Sequence, residues 1–221
     1  MKNKVISKEE AISLIRPGMK VMVGGFGVVG SPLVLISELH RQGQNKLTII
    51  SNNIGEPGKG LDPLLDNGQI EKAIGSYFTS NPNVARFYNE KKLQIELIPQ
   101  GTFAEAIRAG GAGLGGFYTR TSAGTLLGED KETREINGHL YVLEKPLLAD
   151  VALIRAYKAD RLGNLIYRKT ARNFNPVMAT AANRVIVEVD EIVEPGALDP
   201  ESIVTPHMFV DYIVQRGESN A

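Results

Sequence analysis

Four stretches of this 221-residue chain carry residue types that do chemistry. The first is Gly24-Gly25-Phe26-Gly27-Val28-Val29-Gly30, whose last six residues fit G-x-G-x-x-G letter for letter. Glycines between a strand and a helix let backbone approach a ligand closely. Free amides and the positive helix end there favour phosphate or carboxylate. The dinucleotide version of the pattern also needs an acid about 20 residues on, at the end of the second strand, for a ribose hydroxyl. Here that strand ends in Ser51-Asn52-Asn53, and the first acid beyond it, Glu56, falls in the following loop. The incomplete fingerprint favours another anionic or acyl ligand over a dinucleotide, with a purely structural turn as the remaining alternative.

The second stretch is IPQGTFAEAIRAGGAG. Gln100 falls just past a strand and just before a helix, at the carboxyl edge where open parallel sheets bind ligands. A side-chain amide there can donate to a developing oxyanion; the plainer reading is a helix-capping or loop-bridging glutamine. Glu105 has the right group for a carboxylate nucleophile, but its place one turn into a helix suits a solvated or capping role. The third stretch is the glycine run at 110, 111, 113, 115 and 116. It reads as a ligand wrap, a close approach to another chain, or a mobile surface loop. The fourth is RKTARNFNP, where Arg168, Lys169 and Arg172 can attract phosphate or carboxylate and Asn173 and Asn175 can orient it. The alternative is a solvated strand end followed by a helix cap. No G-x-S-x-G, H-E-x-x-H or G-x-x-x-x-G-K-[ST] is present. The chain has no evident nucleophile–base pair, as expected of half an active site.

The elements that must position these residues alternate. Ser7-Lys8-Glu9-Glu10 is a capping box before a short helix ended by Pro17-Gly18. Lys20 to Val23 reads as a strand, and Ser31 as the N-cap of a helix running to about Gln42. Strands then follow at 47–51, 71–78 and 94–99, with helices at 61–66, 82–90 and 102–109. This order predicts an α/β fold: an open, mainly parallel sheet flanked by helices. A small antiparallel β part is expected in the second half. Thr133 to Glu144 reads as a hairpin around Asn137-Gly138, and Leu162-Gly163-Asn164 joins two more strands. Asn175 to Ala182 reads as helix, with strands at 184–189 and 209–214. Residues 1–221 read as one domain.

Charge is balanced at 25 basic and 25 acidic residues, so no net field draws the chain to nucleic acid or membrane. Cysteine is absent and the three histidines are dispersed, which argues against thiolate chemistry and a metal site. The first 18 residues show no signal-peptide core, and no run reaches the ~20 apolar residues of a membrane span, so a cytoplasmic location is expected.

Taken together, VGGFGVVGSP, SNNIG, IPQGTFAEAIRAGGAGLGGFYT, ADVALIRAYKAD with GNLIYRKTARNFNP, and VEVDEIVEPGALDPESIVTP resemble the A (alpha) subunit of the family I coenzyme A transferases. The resemblance runs in order along nearly the whole chain. It implies covalent, ping-pong chemistry in which a glutamate attacks an acyl-CoA thioester and becomes a glutamyl-CoA thioester. That glutamate belongs to the partner beta subunit, so an α2β2 assembly is implied. Gly24, Gly25, Phe26, Gly27, Val28, Val29 and Gly30 match the loop for coenzyme A or acyl binding. Gln100 matches a glutamine facing the catalytic glutamate, and Asn52 an active-site asparagine of the ketoacid branch. No permanently bound cofactor is implied; coenzyme A is a substrate. Acetoacetate, acetate, butyrate, succinate and 3-oxoadipate are the acids expected. Two other classes stand against this reading: a non-enzymatic sugar-phosphate or effector-binding domain of related fold, and a nicotinamide oxidoreductase.

Overall fold

Strand β1 (Lys20–Val23) is apolar on both sides, and the computed structural model buries both. The structure describes residues 4–217. β1 is flanked by β2 (Leu47–Ile50) on one side and β8 (Ala149–Asp160) on the other, both parallel to it. Beyond β2 come β3 (Ile70–Gly75) and β4 (Gln94–Leu97). Beyond β8 come β10 (Ala182–Val193) and β11 (Tyr212–Gln215). The chain thus builds outward from β1 in one direction, then in the other. The reversal lies between β1 and β8, the place where open α/β sheets bind ligands. The two-residue β9 (Leu165–Ile166) pairs antiparallel with β8. β5 (Phe117–Thr119), β6 (Thr133–Ile136) and β7 (His139–Glu144) form the separate antiparallel sheet.

Helices cover both faces. Val21, Val23, Ile49, Ala73, Leu153 and Ile186 pack against α1 (Lys8–Ser13), α2 (Leu33–Gln42), α3 (Asp62–Asp66) and α4 (Pro82–Asn89). Met22, Ile50, Ile74, Ile154 and Val187 face the other way, onto α5 (Gln100–Gly111) and α6 (Asn175–Met178). The alternation follows from the two-residue period of a strand, and the near-continuous apolar runs from burial on both faces. No helix among the described residues is long and apolar enough to cross a membrane.

The expected alternation of strands and helices, the parallel sheet and the small antiparallel part are all present. Several bounds move. The last strand begins at Tyr212, because His207–Phe209 forms a 3-10 turn. The helix expected over 175–182 stops at Met178, since Ala182 already pairs with Ala149. The glycine run divides into the end of α5, a turn and β5. A Cβ on Gly110 would meet the Leu147 carbonyl at 2.2 Å, and one on Gly111 the Thr180 hydroxyl at 2.1 Å. These two glycines let α5 pack tightly within its own chain, and neither wraps a ligand.

Candidate active site

Parallel strands place the residues that follow β1, β2, β3 and β4 on a single edge. Asn52 follows β2, Ser76 follows β3, and Gln100 opens α5 just after β4. Their side chains form a directed amide chain. Asn53 Nδ2 donates to Asn52 Oδ1 at 2.9 Å. Asn52 Nδ2 donates to Ser76 Oγ at 2.9 Å and to Gln100 Oε1 at 2.8 Å. The Ser76 hydroxyl also donates to Gln100 Oε1. With its oxygen accepting twice, Gln100 must present its amide nitrogen outward, and Gln100 is exposed while Asn52 and Asn53 are buried. Among the described residues the Gln100 Nε2 group has no partner. Aligned dipoles polarise one another, so the last donor of such a chain is strengthened. Sequence reasoning found Gln100 and Asn52 but missed Ser76. Its signal was available: Ser76 follows β3 as Asn52 follows β2, and a Cβ on Gly75 would strike the Ser51 carbonyl at 2.2 Å.

The loop from Gly24 to Gly30 stands beside this chain, after β1. Phe26 and Val29 exchange backbone hydrogen bonds of 3.0 and 3.2 Å across a two-residue turn, with Gly27 at φ 61°. Phe26 and Val29 are about half exposed at its crest. Asn53 Nδ2 lies 3.5 Å from the Gly27 carbonyl. Among the described residues, the N–H groups of Gly25, Gly27, Val28 and Gly30 have no partner. Three of the glycines have reasons within the chain. A Cβ on Gly24 would sit 1.9 Å from Asn175 Oδ1, one on Gly25 2.2 Å from Ser31 Oγ, and one on Gly30 2.5 Å from the Ala171 carbonyl.

The start of α2 corrects the sequence reading. Ser31 does not cap it; Pro32 holds the cap position and no cap side chain bonds there. Glu188 of β10 takes the place of both cap and ligand. Its Oε2 accepts from the N–H groups of Val34 at 2.8 Å and Leu35 at 3.2 Å. Glu188 is wholly buried, and Arg216 Nε lies 3.1 Å from its Oε1, an ion pair without hydrogen-bond geometry. Burial pushes the carboxyl above its usual range, opposed by the Leu35 N–H, Arg216, the Val34 N–H and Arg155. The positive helix end is therefore filled from within, and the dinucleotide reading loses its phosphate seat as well as its ribose acid. The signal for Glu188 was an acid inside the apolar run from Val185 to Val189.

The remaining candidates separate. Glu105 is paired with Arg108 one turn on, at 2.6 Å, and that guanidinium holds its carboxyl below the usual range. Both its oxygens are taken up by Arg108, which ties Glu105 down on the helix surface. Asn173 and Asn175 orient the protein's own loop. Asn175, fully buried, donates to the carbonyls of Gly30 at 3.0 Å and Ala171 at 2.9 Å and accepts from the Arg155 N–H at 2.8 Å. Asn173 donates to the Val29 carbonyl at 3.0 Å.

Comparison with known proteins follows this geometry. The family described as "Coenzyme A transferase" matches residues 5–216. The A subunit of a probable succinyl-CoA:3-ketoacid coenzyme A transferase of Bacillus subtilis (strain 168) is 50% identical over 94% of this chain and 87% of its own length. The alpha subunit of the acetate CoA-transferase of Escherichia coli (strain K12) is 45% identical over 99% and 100%. An acyl-CoA transferase from E. coli O157:H7, solved as its thioester complex with CoA, shares the fold at TM-score 0.87 and 23% identity. The match covers 97% of this chain but 47% of that one, so this chain spans about half its length. These likenesses bear out the resemblance read from the motifs and displace the effector-binding alternative. With its amide chain and glycine loop on one sheet edge, and with relatives that match it almost end to end, the chain belongs to the coenzyme A transferase family.

Proposed function

We propose that residues 1–221 are one alpha-subunit domain of a cytoplasmic enzyme that moves coenzyme A between a short-chain or 3-oxo acyl-CoA and a free carboxylate. The observation that carries this is the unpartnered Gln100 amide at the end of the Asn53–Asn52–Ser76 chain. Such a donor suits an oxyanion, and among the described residues no carboxylate is bonded to it. The thioester carbonyl is attacked by a glutamate of the beta partner, and Gln100 Nε2 donates to the oxygen as its charge develops. The carbon–sulfur bond breaks, leaving an acyl–glutamyl anhydride and coenzyme A thiolate. The thiolate attacks the glutamyl carbonyl and releases the first acid, giving the glutamyl-CoA thioester. An acceptor carboxylate reverses these steps. Asn52 and Ser76 hold Gln100 in place. The loop from Gly24 to Gly30 faces the acyl-CoA with its free amides. Coenzyme A enters as substrate, and the steps need no resident cofactor or metal. Acetoacetate, acetate, butyrate, succinate and 3-oxoadipate are the candidate acids, and an α2β2 heterotetramer the expected assembly.

The test is to express the chain alone and with its beta partner, and to follow loss of acetoacetyl-CoA absorbance on adding acetate or succinate. Activity only in the co-expressed sample is expected, and the better acceptor names the branch. Activity of the chain alone would overturn the division of the site between two subunits.

A further inference from the structure

The two margins of the large sheet differ. Beyond β11 the margin is covered: the Ile6 N–H donates to the Ile213 carbonyl at 3.0 Å, and the Ile213 N–H to the Lys4 carbonyl at 2.8 Å. Beyond β4 it is open among the described residues. Its polar groups have a definite phase. The Ile98 N–H donates to the Gly75 carbonyl of β3 at 2.9 Å. Main-chain groups alternate in direction along a strand, so Gln94 and Glu96 also turn theirs to β3, while Leu93, Ile95 and Leu97 point theirs outward. Side chains alternate too. Ile95 packs on the face covered by α1 to α4, which leaves Gln94 and Glu96 on the other. There β4 borders a cavity of about 660 Å³, closed by α5 and the loop before β6. Its acids include Glu96, Asp130 and Glu132; its cations are Lys131, matched by Glu144 at 2.6 Å, and Lys145. Neither Asp130 nor Lys91, at the start of the edge, has an ion-pair partner among the described residues.

We propose that β4 pairs antiparallel with β4 of a second copy of this chain, about a two-fold axis at Gln94, so that two sheets become one. The inference rests on the reading above only for two alpha chains in one assembly. Outward groups of two such strands meet only when the axis passes through a residue, not between residues. Within β4, an axis at Glu96 sets that acid against itself, one at Ile95 sets it against Gln94, and one at Leu97 against Ile98. Only the axis at Gln94 sets Glu96 opposite Lys92, twice by symmetry. One Glu96 oxygen already accepts from Lys72 at 2.6 Å, and the other is left for that lysine. The same axis pairs Leu93 with Ile95, and brings Lys91 to Leu97 at the second copy's acidic groove. On the opposite face Tyr88 of α4, about half exposed, borders the same edge and is covered in the pair. Lysines on an edge strand repel foreign strands. Here they meet acids at matching positions only on a copy of the same strand, so the edge excludes other chains and admits its own.

The chain has no cysteine, so one introduced thiol reports cleanly. The test places Gln94→Cys, an exposed position, in the chain co-expressed with its beta partner, and follows disulfide-linked alpha dimers on non-reducing gels after mild oxidation. At the axis the two Cα atoms stand about 4.5 Å apart, within disulfide reach. Efficient cross-linking is expected. Glu96→Cys places its two Cα atoms about 13 Å apart, four residues of strand, and should not cross-link. Adding Lys92→Glu to Gln94→Cys should slow cross-linking about tenfold, because two symmetric pairs turn repulsive. Adding Glu96→Lys as well should restore the rate. No alpha–alpha disulfide at Gln94→Cys, or an alpha–beta disulfide in its place, would overturn the proposal. So would equal cross-linking at both positions, or a charge swap that fails to restore the rate. An assembly that transfers no coenzyme A yet cross-links as expected would sink the functional reading and leave the pairing standing.

Discussion

The Gln100 amide is held in an orientation that three other side chains impose. An amide has two ends, and which one faces substrate is set by what the other end accepts. Asn52 and Ser76 both donate to its oxygen, so the nitrogen is left facing outward. Gln100→Ala in the assembled enzyme is expected to lower kcat by about 10²–10³-fold, the usual loss of one oxyanion donor. Turnover within threefold of wild type would remove Gln100 from the mechanism. The sequence makes Gln100 visible because its place between strand and helix is a local property. Ser76 and Glu188 are harder to see, because their partners lie 24 and more than 150 residues away. Asn173 and Asn175 mislead for a related reason: amide side chains beside cations look like ligand contacts, yet these bind the backbone of a distant loop.

Helix α2 shows how an element borrows its stability. Its N-terminal amides are satisfied by Glu188 from another strand, while Gly43, at φ 76°, ends it locally. Glu188→Ala uncaps the helix and opens a buried cavity, while Arg216 keeps its pairing with Asp190. A loss of about 1–2 kcal/mol is expected from losing the cap, read as a lower urea midpoint. An acid on α2 itself gives a pH signature. Glu38 is buried and pushed down to about 2, by hydrogen bonds from Arg41 against the cost of burial, with Gln42 adding to them. Because its folded value lies below its unfolded one, its stabilisation is present above pH ~4.3 and is lost as pH falls towards 2. Glu38→Gln should flatten the acid limb of a melting-temperature profile across that window; an unchanged limb would assign acid sensitivity elsewhere. The first half of the fold is legible because caps, glycines and two-residue periods agree there. The second half is less so, because 3-10 turns and long strands depend on what β8 and β10 pair with.

At the scale of the molecule, a balanced charge leaves apolar surface as the main drive to associate. Phe26, Leu97, Leu126, Leu127 and Leu148 are exposed in the single chain, and β4 is an open sheet edge. Scattered apolar residues are ordinary, but an open edge beside exposed leucines invites pairing. The isolated chain is therefore expected to self-associate in size-exclusion chromatography, and to run as one defined species when co-expressed with its partner. A clean, heat-stable monomer would count against an obligate hetero-oligomer.

The central position of β1 also has a consequence for how the protein is made. Val21 meets one neighbour at Ile49 but the other only at Val151, some 130 residues later. At ~5–20 residues per second, ribosomes take roughly 7 to 26 seconds to deliver that second neighbour. Throughout that interval the strand that will lie deepest in the sheet is an uncovered apolar edge. The nascent chain is most exposed to misassembly while β5 to β7 are being synthesised. Slowing translation there should lower the soluble yield, whereas slowing it after residue 193, once β10 is complete, should have little effect.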